Sequence, residues 1–447
     1  MKNKKFWSLI LAFAMVFSMI AGCVPNDSAE SSTTEATETT DTAPAATEQN
    51  GDEVVTLKWQ SYDGFDKYEA VINAFEAAHP NIKIEYEQIS DYQTKLLTEA
   101  ASDDLPDLIS CNTGTTQVLG DAGILKALDI EAIKADTAYN FDDLWETCAT
   151  YCSYDGTWYA LPIDGGDLAW AYNVKMFDQV GIVVPEDGFT WDEFEAACAT
   201  LLANKDQLGI TYPTALNDYS YSSIDLMFPF INQAGGSYLN ADGTCAWNSP
   251  ATVNAFNWVF GLIEKGYIPP IEKLDVGSNP LISMLNAGEI AMCRVELWNA
   301  GYLADSDKVE WRAMHAPKGN DGTQSEVLFL NGIAISSTTE HSNEALEFIK
   351  YVTSEEGLAI YLQGCSSAQI AVRRAQSALS VAMFDESKNM QVFNEELAYC
   401  SYINLTKTFS DQQATIGQYF DKIWYDKADV QTTLDEMTVK LNELLAQ

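Results

Sequence analysis

The sequence predicts an α/β protein, and three observations carry that reading. Between Val54 and Ile109, strand-like and helix-like runs alternate as strand, helix, strand, helix, strand, the order that builds a parallel sheet. Four later segments place apolar residues at helical spacing. The chain has 447 residues, and setting aside the first 50 leaves 397, enough for two sizeable lobes at roughly 150 residues each.

The elements follow in order. Lys2, Lys4 and Lys5 form a positive start, and Phe6 to Ile20 is apolar apart from two serines. Small residues, Ala21 and Gly22, then precede Cys23, the pattern of a cleavable signal peptide over 1–22. The apolar run falls short of the roughly 20 residues a membrane-spanning helix needs. Ile20-Ala21-Gly22-Cys23 resembles the bacterial lipobox, which implies lipidation of the Cys23 thiol. Residues 24–50 hold six acidic side chains, no basic ones, and mostly Ser, Thr, Ala and Pro. Such a stretch buries too little to offset its ordering entropy, so 23–50 reads as a lipid-anchored, disordered acidic tether.

VVTLKW (54–59) is a strand-like run, followed by the loop SYDGFDK. KYEAVINAFEAAHP is helical up to its proline, IKIEYEQI alternates as a strand, DYQTKLLTEAAS is a second helix, and LPDLI a buried strand. The later helices are TWDEFEAACATLLANK, PATVNAFNWVFGLIEKG, SNEALEFIKYVTSEEGLAIYLQG and VQTTLDEMTVKLNELL. TWDE and SNEA open as capped helices, with Thr190 and Ser342 supplying the cap oxygens.

Composition narrows the function. A formal charge of −40 argues against nucleic acid and against basic contacts with anionic lipid, so the membrane is reached through the lipid anchor only. Eleven Trp and 21 Tyr supply flat rings of the kind that stack on sugars, although most such rings belong to cores. Beyond Cys23 there are eight cysteines at scattered spacings, with no C-x-x-C, and the histidines 79, 315 and 341 lie far apart. That excludes zinc-site spacing and favours buried free thiols over a disulfide framework. No metal or cofactor is expected.

Five segments, in order, resemble the family 1 extracellular solute-binding proteins. They are NAFEAAHPNIKIEYEQ, LPDLISCNTG, TWYALPIDGGDLAWAYNVKMFDQVGI with TWDEFEAAC after it, GEIAMCRVELWNAGYL, and NGIAISSTTEHSNEALEFIKYVTSEEG. The resemblance spans essentially 54–447. It implies a two-lobed, periplasmic-binding-protein-like (type II) fold, each lobe a mixed sheet flanked by helices, joined by hinge crossings near Leu161–Gly166, Met314–Lys318 and Gln363–Val372. The first lobe would comprise 51–163 plus about 316–364, and the second 164–315 plus about 365–447. The resemblance further implies a monomer on the extracytoplasmic face of the bacterial cell membrane. It would capture a carbohydrate, an oligosaccharide above all, and deliver it to the permease subunits of an ABC importer, without enzymatic activity. The chain departs from the family after Gly364, where CSSAQIAVRR lacks the usual proline. The implied cleft arginine is Arg373 or its neighbour Arg374.

A neutral sugar offers ring hydroxyls and apolar C–H faces, so its site needs aromatic plates, carboxylates and amides. Loops at the carboxyl ends of parallel strands are the expected suppliers. That selects Tyr62 and Asp63 after the first strand, Asn112 and Thr113 after LPDLIS, Asp164 and Gly165 at a crossing, and Glu296 and Trp298 after GEIAMCRV. Asn331 and Gly332, with Asp218 and Tyr219 in TALNDYSYSS, complete the set. Each has a plainer role available. Trp298 and Trp247 could be core, Tyr62 and Asp63 a turn, and Asp164 a partner for hinge amides; Trp170 reads as a buried hinge residue, and Tyr172 and Asn173 as structural. Two other functions stay open: the same fold taking a polyamine or peptide, the acidic and aromatic character disfavouring an oxyanion, or an exported glycoside hydrolase. A hydrolase needs two opposed carboxylates, and no G-x-S-x-G, H-E-x-x-H or P-loop motif occurs to suggest another chemistry.

Overall fold

A computed structural model describes residues 54–216, 223–270, 280–403, 406 and 408–447. The leader, Cys23 and the acidic tether lie outside the described residues, as do Asp218 and Tyr219.

The predicted opening is present. Strands β1 (Val55–Ser61), β2 (Ile82–Gln88) and β3 (Leu108–Asn112) are parallel, with helices Glu69–Ala78 and Tyr92–Ser102 between them. The first helix buries Val71, Ile72 and Phe75 at helical spacing, which is why its apolar pattern was readable. A short hairpin, β4 (Ser153–Tyr154) and β5 (Thr157–Trp158), precedes the long strand β6 (Ala160–Asn173). Then come β7 (Tyr212–Ala215), β8 (Ile290–Glu296), β9 (Trp311–Met314), β10 (Glu326–Ile335) and β11 (Cys400–Ser401). The large sheet runs β2-β1-β3-β10-β6-β8-β7, with β9 also pairing β6 and β11 pairing β10. It is mixed: β10 is antiparallel to β3 and β6, and β8 is antiparallel to β6 but parallel to β7.

β6 ties the two halves together. Its residues up to Asp167 pair with β10, and from Leu168 onward they pair with β8 and β9. All 14 of its residues are buried, so it shows no polar alternation. Pro162 cannot donate to the ladder, and the register shifts there: Gly332 pairs with Pro162, whereas Asn331 pairs with Asp164. The extra residue, Ile163, makes a β-bulge that sets the Asp164 and Asn331 side chains together.

The helices largely follow their sequence signals. Thr190 and Glu193 form a reciprocal capping box at the start of Trp191–Ala203. Ser342 does not cap its helix; it is the first helical residue, and its hydroxyl accepts from Lys126 at 2.6 Å. The run expected as one helix from Ser342 divides into Ser342–Val352 and Glu355–Gly364, because Ser354 caps the second by accepting from Gly357. Most tryptophans are core: Trp59, Trp170, Trp247 and Trp424 are wholly buried, and Trp191 stacks on Trp258 at 4.4 Å. Trp247 is thus a core ring, not a plate. The eight described cysteines are free thiols, all but Cys365 buried.

Candidate functional site

Where β6 crosses the sheet, a cavity of about 400 Å³ opens between the ends of β1, β3 and β8. Six of the sequence-selected residues line it: Asp63, Asn112, Thr113, Gly165, Trp298 and Asn331. Asp63 follows β1, Asn112 ends β3, and Trp298 follows β8, so each sits at a strand's carboxyl end.

One wall is aromatic. Trp298 stands edge-on to Phe329, ring centres 5.6 Å apart at 84°. The two glycines of β6 make room for this wall. A Cβ on Gly165 would lie 2.5 Å from the Phe329 carbonyl oxygen, and one on Gly166 would lie 2.3 Å from the Trp298 ring.

Much of the remaining lining is polar and charged. Lys67 Nζ lies 2.9 Å from Asp63 Oδ2 and 3.1 Å from Asp164 Oδ2. Tyr68 donates to the same Asp63 oxygen at 2.9 Å. Burial alone would depress the Lys67 ammonium, but the Asp164 and Asp63 charges overcome this and hold its pKa above the ordinary lysine range. Asn331 Nδ2 donates to Asp164 Oδ1 at 2.6 Å, while its Oδ1 accepts from the Tyr62 hydroxyl at 2.7 Å. Asn112 is oriented by Thr115, whose hydroxyl donates to its Oδ1 at 2.9 Å.

Five selected residues do not line the cavity. Asp164 is wholly buried behind it, its oxygens taken by Lys67, Asn331 and the Tyr361 hydroxyl. Tyr62 sits behind Asn331, edge-on to Tyr92, and burial pushes its phenol well above the usual range. Glu296 is buried in the ladder opposite Leu168 and accepts from Asn299 at 3.2 Å. Gly332 packs against Ala160 and Leu161. Arg373 is fully buried: its Nε donates to the Thr353 carbonyl at 2.6 Å, a terminal nitrogen donates to the Asn140 carbonyl at 2.9 Å, and its guanidinium stacks 4.6 Å from the Tyr139 ring centre. Arg374 is exposed and donates to the Asp142 and Leu144 carbonyls. Neither arginine reaches the cavity; both tie backbone loops.

Sequence reading missed Lys67, Gly166, Phe329, Leu330, Ser367 and Gln369. Lys67 had a signal, since it stands four residues after Asp63 in the same loop. Ser367 and Gln369 lie in CSSAQIAV, which is tied to β6 by the Ile370 amide donating to the Gly165 carbonyl at 2.8 Å. That departure from the family pattern therefore supplies neutral polar groups instead of an arginine.

Two sheet halves sharing a crossing strand, with a polar and aromatic cavity at the crossing, define a two-lobed solute-binding protein. The chain belongs to the bacterial extracellular solute-binding protein family, whose model matches residues 70–379. An ABC transporter extracellular-binding protein of Pyrococcus horikoshii is 26% identical over 382 residues, covering 82% of each chain. Among solved structures, an ABC substrate-binding protein from Listeria monocytogenes in complex with cycloalternan aligns at TM-score 0.73 and 21% identity, covering 88% of this chain and 100% of that one. The sugar-binding protein MalE from Xanthomonas citri aligns at TM-score 0.75 and 16% identity, covering 88% and 98%. Among the described residues, no helix is long and apolar enough to cross a membrane.

Proposed function

We propose that the protein captures a neutral oligosaccharide in this cavity and delivers it to the permease of an ABC importer, held at the membrane by lipid on Cys23. The observation that carries the reading is that the Trp298 ring and the polar side chains of Asp63, Lys67, Asn112 and Asn331 line one cavity. A pyranose presents an apolar C–H face and a rim of hydroxyls, and this pairing matches both. Both donors to Asp63 reach its Oδ2, which leaves Oδ1 for a ligand hydroxyl. The carboxylate then acts as an acceptor only, and no proton transfer is asked of it. The Listeria monocytogenes protein in complex with cycloalternan and the sugar-binding MalE of Xanthomonas citri, which share the fold, support the same class.

Ligand stabilises the native state by RT ln(1 + [L]/Kd), so melting temperature reads the ligand class directly. A panel of oligosaccharides, polyamines and peptides should raise it only with members of the first group. A rise with peptides alone would overturn the carbohydrate reading, and steady hydrolysis of a bound glycan would move the protein to the enzymes. For the anchor, Cys23→Ser should leave the protein unprocessed or released. A mutant of normal size that still carries labelled lipid would refute it.

A further inference from the structure

An aromatic plate beside carboxylates is also what an organic cation seeks, because ring faces and acidic oxygens both attract ammonium groups. In this cavity the space between the two carboxylates is already taken. Lys67 Nζ bridges Asp63 and Asp164, at 2.9 and 3.1 Å, and its stem rises from the short 3₁₀ turn Phe65–Lys67. Tyr68 flanks it, ring centre 5.6 Å from the ammonium. Asp164 is further closed off by Asn331 and Tyr361, so no ligand group reaches it while Lys67 stays in place. The bridging position between the carboxylates is therefore filled, and a cation entering it would have to stand against a fixed ammonium in a partly desolvated site, where like charges repel strongly.

We propose that Lys67 is a specificity-determining residue: its ammonium occupies the cation position between Asp63 and Asp164 and thereby reserves the cavity for neutral solutes. This deepens the carbohydrate reading given above and rests on it for the ligand, but the exclusion of cations stands on the Lys67 geometry alone. Lys67 is a built-in counter-ion. Removing its side chain beyond Cβ should vacate a slot the length of n-propylammonium, flanked by two carboxylates that then repel each other.

The test measures melting temperature of purified protein against n-propylammonium chloride and putrescine, with sodium chloride at equal ionic strength as reference. Wild type should respond to neither amine. Lys67→Ala should melt lower, and millimolar propylammonium should restore it dose-dependently by on the order of 2 °C or more. Lys67→Met keeps an apolar stem in the slot, so it should not respond. Stabilisation of wild type by putrescine overturns the inference, and that arm needs no variant to fold. An equal response in Lys67→Met also overturns it, since the amine would then bind outside the slot. So does a folded Lys67→Ala indifferent to propylammonium. A response confined to Lys67→Ala, in a protein that no oligosaccharide stabilises, would sustain the cation exclusion while removing the carbohydrate reading.

Discussion

The six-membered ring of Trp298 occupies the space that a side chain on Gly166 would need. A Cβ at 166 would stand 2.3 Å from Cε3 and 2.5 Å from Cζ3, far inside van der Waals contact. The glycine in β6 therefore fixes how the indole faces the cavity. Gly166→Ala should push the ring aside and weaken oligosaccharide binding by roughly an order of magnitude, about 1.4 kcal/mol. Calorimetric titration checks this; unchanged affinity would mean the ring's placement is irrelevant to ligand.

Trp298→Ala removes the plate itself. The indole is only partly buried amid buried neighbours, because one side faces the cavity. Losing an aromatic ring's worth of apolar contact with the sugar costs on the order of 2 kcal/mol, roughly 30-fold in Kd. Ligand-free stability should fall far less than for Trp247→Ala, a wholly buried ring whose truncation costs about 3–5 kcal/mol. If both variants lose melting temperature equally and Trp298→Ala still binds normally, Trp298 is a core ring.

Stability should decline as pH rises from about 4.5 towards 8. Three buried carboxyls gather where β6 changes partners: Asp167 on β6, Glu326 on β10, and Glu396 on the helix Gln391–Glu396. Burial pushes Glu326 up to about 7 despite Arg294, and burial with the Glu396 and Glu326 charges raises Asp167 well above the carboxylate range. Burial likewise raises Glu396 against the pull of His315. Burial alone would lower His315, but Glu396 and Glu395 prevail and raise it. All four bind protons more tightly folded than unfolded. Their contribution is thus complete below the unfolded values, about 4 for the carboxyls and 6.5 for the imidazole, and is lost as pH climbs through the raised ones. Asp167→Asn should flatten the melting profile across that window; a wild-type profile that rises instead would show the carboxyls are not held protonated.

Legibility in the sequence tracked how local each determinant is. The first three strands and their helices were readable because alternation and helical spacing are properties of neighbouring residues. The Thr190 cap was readable for the same reason. β6 gave no alternation, since burial on both faces removes it, and its change of partner at Leu168 depends on strands over 100 residues away. The loop rule brought Asp63, Asn112 and Trp298 to one cavity, yet it could not tell lining from support. Tyr62 and Asp164 are adjacent in sequence to lining residues Asp63 and Gly165, but stand one layer behind them. Lys67 went unseen because its importance lies in a contact with Asp164, 97 positions along the chain.

Arg373 supplies the contrast case. An arginine after Gly364 was expected to meet ligand, but here its guanidinium is sealed inside, donating to the carbonyls of Thr353 and Asn140 and lying over Tyr139. Asp143, at 3.9 Å, is its nearest carboxylate. Those two carbonyls close a helix end and a turn, so the charge joins three segments, adding to the single antiparallel bridge between Leu144 and Arg373. Arg373→Met keeps much of the stem's volume and deletes every donor. The buried Thr353 carbonyl then loses its donor, and leaving such a group unsatisfied costs about 1–3 kcal/mol. Denaturant unfolding should therefore show a large loss of midpoint with no change in slope. Oligosaccharide affinity of the folded fraction, measured well below the new transition, should match wild type. A variant that folds with wild-type stability but loses ligand would return Arg373 to the binding site and remove the structural role argued for it.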